Sequence, residues 1–248
     1  ALINTYGESN GFSDQAGAKK FYEDNPGAFG TDYVNWNAAG RPETYWPDII
    51  TNDNAPMQEY NLSASGGTGT TNYYVSGGYL KQEATVIGSE YERFSGAVSL
   101  DTKLNEKLTF STKNTASHNY QDGLLEGSAY FSSPRATKYF MPSIDQAYDE
   151  NGEIDITGSL PNPLWIAQED IDESKFTRIL SNNSLVWETP LKNLSFSTRM
   201  TIDYQVYNYK SYDNPVRGDG DGATKGQGWA ANRNRANYVF QNALDYVW

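Results

Sequence analysis

Leu194-Ser195-Phe196-Ser197-Thr198-Arg199-Met200-Thr201-Ile202-Asp203-Tyr204-Gln205-Val206 alternates without a break. Leu194, Phe196, Thr198, Met200, Ile202, Tyr204 and Val206 fall on one face. Ser195, Ser197, Arg199, Thr201, Asp203 and Gln205 fall on the other. A period of two is the mark of a β-strand, and one apolar face against one polar face marks a sheet that is wet on one side. The pattern repeats outward from this stretch. At 92–102, Phe94, Gly96, Val98 and Leu100 oppose Arg93, Ser95, Ser99 and Asp101. At 108–117, Leu108 and Phe110 alternate with Thr109, Ser111 and Lys113. Strands are expected at 58–65, 72–82, 92–102, 108–119, 176–188, 194–210 and 236–248. Several reach the ~9–11 residues that let a tilted strand cross a bilayer, where strands of soluble proteins average about 5–6.

The connections alternate in length. Residues 66–71, 103–107 and 189–193 are short turns, 83–91 is intermediate, and 120–175 and 211–235 read as long loops. In an up-and-down sheet, alternate connections emerge on the same edge. All short turns therefore share one edge and all long loops the other, as in outer-membrane barrels. Residues 1–57 are irregular and rich in Gly, Asn, Asp and Pro. They read as a long surface loop leading into the barrel, with one helical candidate at 13–24, capped by Ser13 and ended by Asn25-Pro26-Gly27.

Composition narrows the function. The 248 residues carry 19 Lys+Arg against 31 Asp+Glu, a formal net charge of −12, with one His and no Cys. The missing cysteines remove disulfides, thiol nucleophiles and Cys-ligated metals. The acidic balance argues against a nucleic-acid partner, which needs a basic stripe. A mean hydropathy of −0.70 and the lack of any apolar run of ~20 residues exclude a transmembrane helix. Hydrophobic residues make up only 38%, yet aromatics reach 14% with 19 Tyr. A barrel that turns its apolar residues to lipid and keeps a wet interior fits these figures. A soluble β-sandwich with long strands is the competing solution. The chain opens on Ala1 without a leader, so a mature product or an internal piece is expected.

Residues 55–101 contain Ala55-Pro56-Met57-Gln58-Glu59-Tyr60-Asn61-Leu62-Ser63-Ala64-Ser65-Gly66-Gly67, then Thr71-Asn72-Tyr73-Tyr74-Val75-Ser76-Gly77-Gly78-Tyr79-Leu80, then Ile87-Gly88-Ser89-Glu90-Tyr91-Glu92-Arg93-Phe94-Ser95. This run resembles the early barrel strands of SusC/RagA-family TonB-linked outer-membrane transporters of Bacteroidetes. Tyr148-Asp149-Glu150-Asn151-Gly152, Pro190-Leu191-Lys192-Asn193-Leu194-Ser195-Phe196 and Gln241-Asn242-Ala243-Leu244-Asp245-Tyr246 extend the resemblance more weakly. It implies an all-β fold, with about seven strands drawn from an antiparallel transmembrane barrel of about 22. It also implies a signal peptide, an N-terminal β-domain, a plug and further strands, none of which is recognisable here, so a transporter fragment is expected. The implied role is uptake of glycans or peptides under a SusD-like surface lipoprotein lid, driven by the TonB complex through the plug, in contact with outer-membrane lipid. Two alternatives stand beside it. One is a small complete barrel acting as an adhesin or structural protein, ending at Trp248. The other is a soluble carbohydrate-binding sandwich.

No catalytic signature is present. The lone His118 sits at a strand end. Gly226-Gln227-Gly228-Trp229-Ala230-Ala231 matches a dinucleotide fingerprint in letters only, since it opens no convincing helix. No cofactor is expected. Asp219 and Asp221 offer a weak Ca²⁺ site that lacks the EF-hand spacing; a flexible acidic loop tip is the simpler reading. Trp36, Tyr45, Trp46, Trp165 and Trp229 lie in long external segments among polar residues and form the candidate substrate- or partner-facing set. Strand parity makes Arg93, Asp101, Lys113, Arg199, Asp203 and Gln205 lumen-facing, an assignment that a one-residue slip would reverse.

Overall fold

The computed structural model describes residues 43–123, 140–143, 145–158, 160–222 and 225–248. The expected helix at 13–24 and Trp36 lie outside them. Seven strands form one sheet in simple chain order, β1 (Met57–Gly67), β2 (Thr71–Glu83), β3 (Glu90–Asn105), β4 (Leu108–Asp122), β5 (Ile171–Glu188), β6 (Leu194–Asp213) and β7 (Gln227–Tyr246). Every neighbouring pair is antiparallel. Among the described residues the helices α1 (Trp46–Ile50) and α2 (Pro163–Glu169) sit in the connections.

The short turns are built for reversal. In β1–β2 the Thr68 amide donates to the Thr71 carbonyl at 2.7 Å. In β5–β6, Asn193 takes φ 62°, a left-handed position that Asn tolerates, while the Thr189 hydroxyl donates to the Leu194 carbonyl at 2.8 Å. These turns and the β3–β4 turn lie on one edge. The opposite edge carries the segment before β1, the 84–89 connection and the β4–β5 and β6–β7 connections.

Strand ends differ from expectation at that second edge. The β6–β7 connection is 214–226, not 211–235, because β6 runs on to Asp213 and β7 starts at Gln227. The β4–β5 connection is 123–170, since β5 begins at Ile171. β5, β6 and β7 reach 18, 20 and 20 residues. At ~3.4 Å per residue and a tilt near ~40°, 20 residues rise roughly 50 Å, well beyond a ~25 Å apolar band.

Directly opposed residues share a face, so the register carries the faces of β6 across the sheet. The apolar face takes Tyr60, Tyr79, Phe94, Val98, Phe110, Ile179, Trp187, Phe196, Met200, Ile202, Phe240 and Leu244. No second layer covers it among the described residues. Phe94, Met200, Phe240 and Leu244 are exposed. Among the described residues the buried hydrophobic ones are Trp46, Ile50, Leu80, Met141, Ala147 and Ile166, and all but Leu80 lie in the long-connection edge. The packed cluster of the described residues thus sits in the connections at one edge of the sheet.

Candidate functional site

Two surfaces carry the chemistry. The first is the polar face of the sheet. Register brings Arg93, Asp101, Lys113, Arg199, Asp203 and Gln205 onto that one face, as strand parity predicted. It also adds Glu59, Arg178, Arg233 and Arg235, which the sequence reading did not single out. Arg178 binds Asp203 at two points, Nε to Oδ1 at 2.9 Å and Nη2 to Oδ2 at 3.0 Å. The Gln205 amide adds a donor to Asp203 Oδ2 at 3.0 Å. Arg93 reaches Glu59 at 3.7 Å across the width of β2. Leu80 lies between them in register and is 8% exposed, so the ion pair roofs it. Between these groups the face is neutral and hydrogen-bonded, as in Thr201 to Asn182 at 2.8 Å.

The apolar face changes character towards the long connections. Tyr60, Tyr79, Phe94 and His118 form one row across four strands. Tyr60 and Tyr79 stack at 6.4 Å, and Tyr79 meets Phe94 at 4.9 Å. Beyond that row the same face is charged. Lys81 pairs with Glu90 at 3.1 Å, and the Tyr79 hydroxyl donates to Glu92 at 2.8 Å. At the other edge Trp187, Pro190, Leu191, Leu194, Phe196 and Leu244 line an apolar depression. An apolar band with aromatics at both margins and charges outside it is the profile of a strand wall in a bilayer.

The second surface is the set of connections. Trp46 is 2% exposed, packs with Met141, Ala147, Ile49, Leu160 and Leu164, and donates Nε1–H to the Pro142 carbonyl at 3.0 Å. This corrects its place among the outward aromatics, because a ring enclosed by apolar side chains has no face left for a ligand. Asn162, buried, caps α2 by accepting from the Leu164 amide at 3.0 Å and donates to the Ala147 and Asp155 carbonyls. Trp165 is half-buried and donates to Asn214 Oδ1 at 3.2 Å. Tyr45 and Trp229 are exposed, and Trp229 stands on β7 rather than in a loop.

Asn214 joins the β6–β7 connection to the β4–β5 connection. Its Oδ1 accepts from the Val216 and Arg217 amides and from Trp165, while its Nδ2 and backbone amide donate to Asp170 Oδ1 at 2.6 and 2.8 Å. Asp170 is therefore half-buried and bonded. Burial pushes its carboxyl above the ordinary aspartate value, against the pull of the Asn214 donors. Asp221 lies 3.9 Å from Arg217 and accepts weakly from the Gly218 amide at 3.4 Å. Among the described residues no group of three or more His, Cys, Asp or Glu could hold a metal ion, so Asp219 and Asp221 form no such group. His118 Nδ1 lies 2.8 Å from Thr177 Oγ1 on the apolar face, a strand-to-strand contact. Gly226 precedes a strand, not a helix.

No known family profile matches the chain. It is 28% identical over 148 residues to TonB-dependent receptor P39 of Formosa agariphila, covering 59% of this chain and 14% of that protein. It is 27% identical over 233 residues to TonB-dependent receptor P3 of the same organism, covering 88% of this chain and 22% of that one. The chain thus spans under a quarter of the length of either relative. Among solved structures it resembles the RagAB peptide transporter, with a TM-score of 0.65 and 21% identity over 82% of this chain and 23% of that one. The closed-closed state of the RagAB peptide importer gives a TM-score of 0.66. Fold and sequence likeness together support a SusC/RagA-like TonB-dependent transporter segment, an all-β piece of barrel wall located in the bacterial outer membrane. The relatives are receptors and transporters, not enzymes.

Proposed function

We propose that this chain forms part of the wall of an outer-membrane importer that takes up glycans or peptides. The observation that carries the reading is the sheet itself. Its strands run up and down in chain order, with short turns on one edge and a packed loop core on the other. In this reading the apolar face meets lipid, the polar face lines the lumen, and the short turns point to the periplasm. The connections at 43–56, 123–170 and 214–226 stand outside the cell.

The loop core has a role in that arrangement. Its apolar cluster and the Asn214 network hold the outer connections as one rigid rim. A rim of that kind offers a fixed seat to a SusD-like surface lipoprotein, with Tyr45 and Trp229 as its exposed aromatics. Substrate captured there would descend along the polar face, and the TonB complex would act through a plug belonging to the rest of the protein. Relatives named TonB-dependent receptors and the RagAB importer fold support this reading.

Uptake tests it. Cells lacking the gene should lose import of one oligosaccharide or peptide mixture, and cells carrying it should lose the same import when a protonophore collapses the inner-membrane gradient. Import that survives both treatments would contradict the proposal.

A further inference from the structure

We infer that Arg233 and Arg235, with Trp229 above them, form an anion-binding station on the polar face for carboxylate-bearing oligosaccharides. The inference rests on the reading of that face as the lumen wall.

Register fixes the geometry. Trp229, Arg233 and Arg235 point to the polar face of β7, opposite Ser211, Tyr207 and Gln205 of β6. Behind Tyr207 and Gln205, β5 presents Phe176 and Arg178 in the same rows. Three guanidiniums therefore gather within two strand spacings, against one carboxylate, Asp203. That carboxylate already accepts from Arg178 at two points and from Gln205. Arg235 is within electrostatic reach of Asp203 but makes no hydrogen bond or ion pair with it. Among the described residues neither Arg233 nor Arg235 has an ion-pair partner, and both are exposed. The next acid on this face, Asp172, lies at the rim level of Trp229 and is engaged by the Tyr209 hydroxyl.

Two arginines beside Arg178 in a chain of net charge −12 are charge placed against the general trend. Guanidinium forks match carboxylates in geometry as well as charge. The neighbours favour a sugar as the carrier of that carboxylate. The Trp229 ring is 65% exposed, and Ser211, Gln205 and Asn237 around the station are neutral hydrogen-bonding groups. A flat amphipathic ring beside amides and hydroxyls suits the apolar face and hydroxyl rim of a pyranose. The sulfate of a sulfated sugar would use the same forks.

Calorimetric titration of the detergent-purified full-length protein tests the proposal with three probes: tetragalacturonate, neutral galactotetraose and a hexaglutamate peptide. The expected result is binding of tetragalacturonate over both other probes, weakened at least ~tenfold in the double variant Arg233→Gln, Arg235→Gln. The variant must keep the parent's heat-modifiable gel mobility; if it does not, the single variants and Trp229→Ala carry the comparison. Equal binding by variant and parent, equal binding of the neutral sugar, preference for the peptide, or no binding of any probe overturns it. A nitroxide at position 233 separates the two levels of failure. Accessible to an aqueous nickel chelate, it leaves the lumen wall intact and only the station fails. Accessible to lipid-dissolved oxygen alone, the wall reading fails as well.

Discussion

Arg178 and Asp203 form a two-point ion pair between β5 and β6, at 2.9 and 3.0 Å, on a face whose other groups are largely neutral. Arg178 is 45% exposed and Asp203 17%. Water therefore screens the pair, and its contribution to stability is small. Asp203→Asn should leave the thermal unfolding of the barrel, read by heat-modifiable gel mobility, within a few degrees of the parent. A collapse of assembly would show that the face is dry rather than wet.

Trp46 should behave in the opposite way. It is enclosed in the loop core, so Trp46→Ala removes a large side chain from a packed site and costs about 3–5 kcal/mol locally. The strands do not depend on that cluster. The expected outcome is an assembled barrel whose outer connections are cut by protease on intact cells, where the parent resists. Unchanged protease resistance would refute the rigid-rim account.

Gly220 offers a sharper test of the β6–β7 connection. A Cβ there would lie 2.4 Å from the Asn214 carbonyl oxygen and 2.6 Å from that of Asp213, both backbone atoms that cannot swing away. Gly220→Ala should therefore break the Asn214 network and raise amide hydrogen exchange across 214–222. Gly222→Ala, with no atom within 4 Å of the new methyl, should not.

The turn at Asp149 carries a pH dependence. The Glu153 and Asn151 amides donate to its carboxylate at 2.9 and 2.8 Å and hold its pKa below the ordinary 3.8. A lowered folded value means stabilisation that is present above the unfolded pKa and lost as pH falls through the folded one. Protection of the Asn151 and Glu153 amides from exchange should therefore persist at pH 5 and fade below about pH 4. Asp149→Asn should show weaker protection with no such fade.

Much of the sheet was legible in the sequence, and the reason is the bilayer-like band itself. Where one face is apolar and the other polar, as at Leu194–Val206, period two is plain and parity groups the residues as the register does. Above the band both faces are wet, and the signal vanishes. Asn232 and Asn234 share the apolar face of β7 yet are polar, so Gln227–Arg235 read as loop. Ile171–Lys175 failed for the same reason. Trp46 was misread because its partners Met141, Ala147, Leu160 and Leu164 lie about a hundred residues away, and no local pattern reports such a contact. Asn214 gave no signal either, since a capping asparagine in a Gly/Asp-rich connection looks like any turn residue.

On the proposed reading, even-numbered residues of β6 face lipid and odd-numbered residues face the lumen. The chain has no cysteine of its own, so single thiols can be placed at each position from Thr198 to Val206 and labelled with a nitroxide in outer-membrane vesicles. Power-saturation spectroscopy then measures access to oxygen and to a nickel chelate at each site. The account predicts strict alternation, with oxygen dominant at 198, 200, 202, 204 and 206 and the chelate dominant at 199, 201, 203 and 205. The reverse phase, or chelate access on both faces, would contradict it.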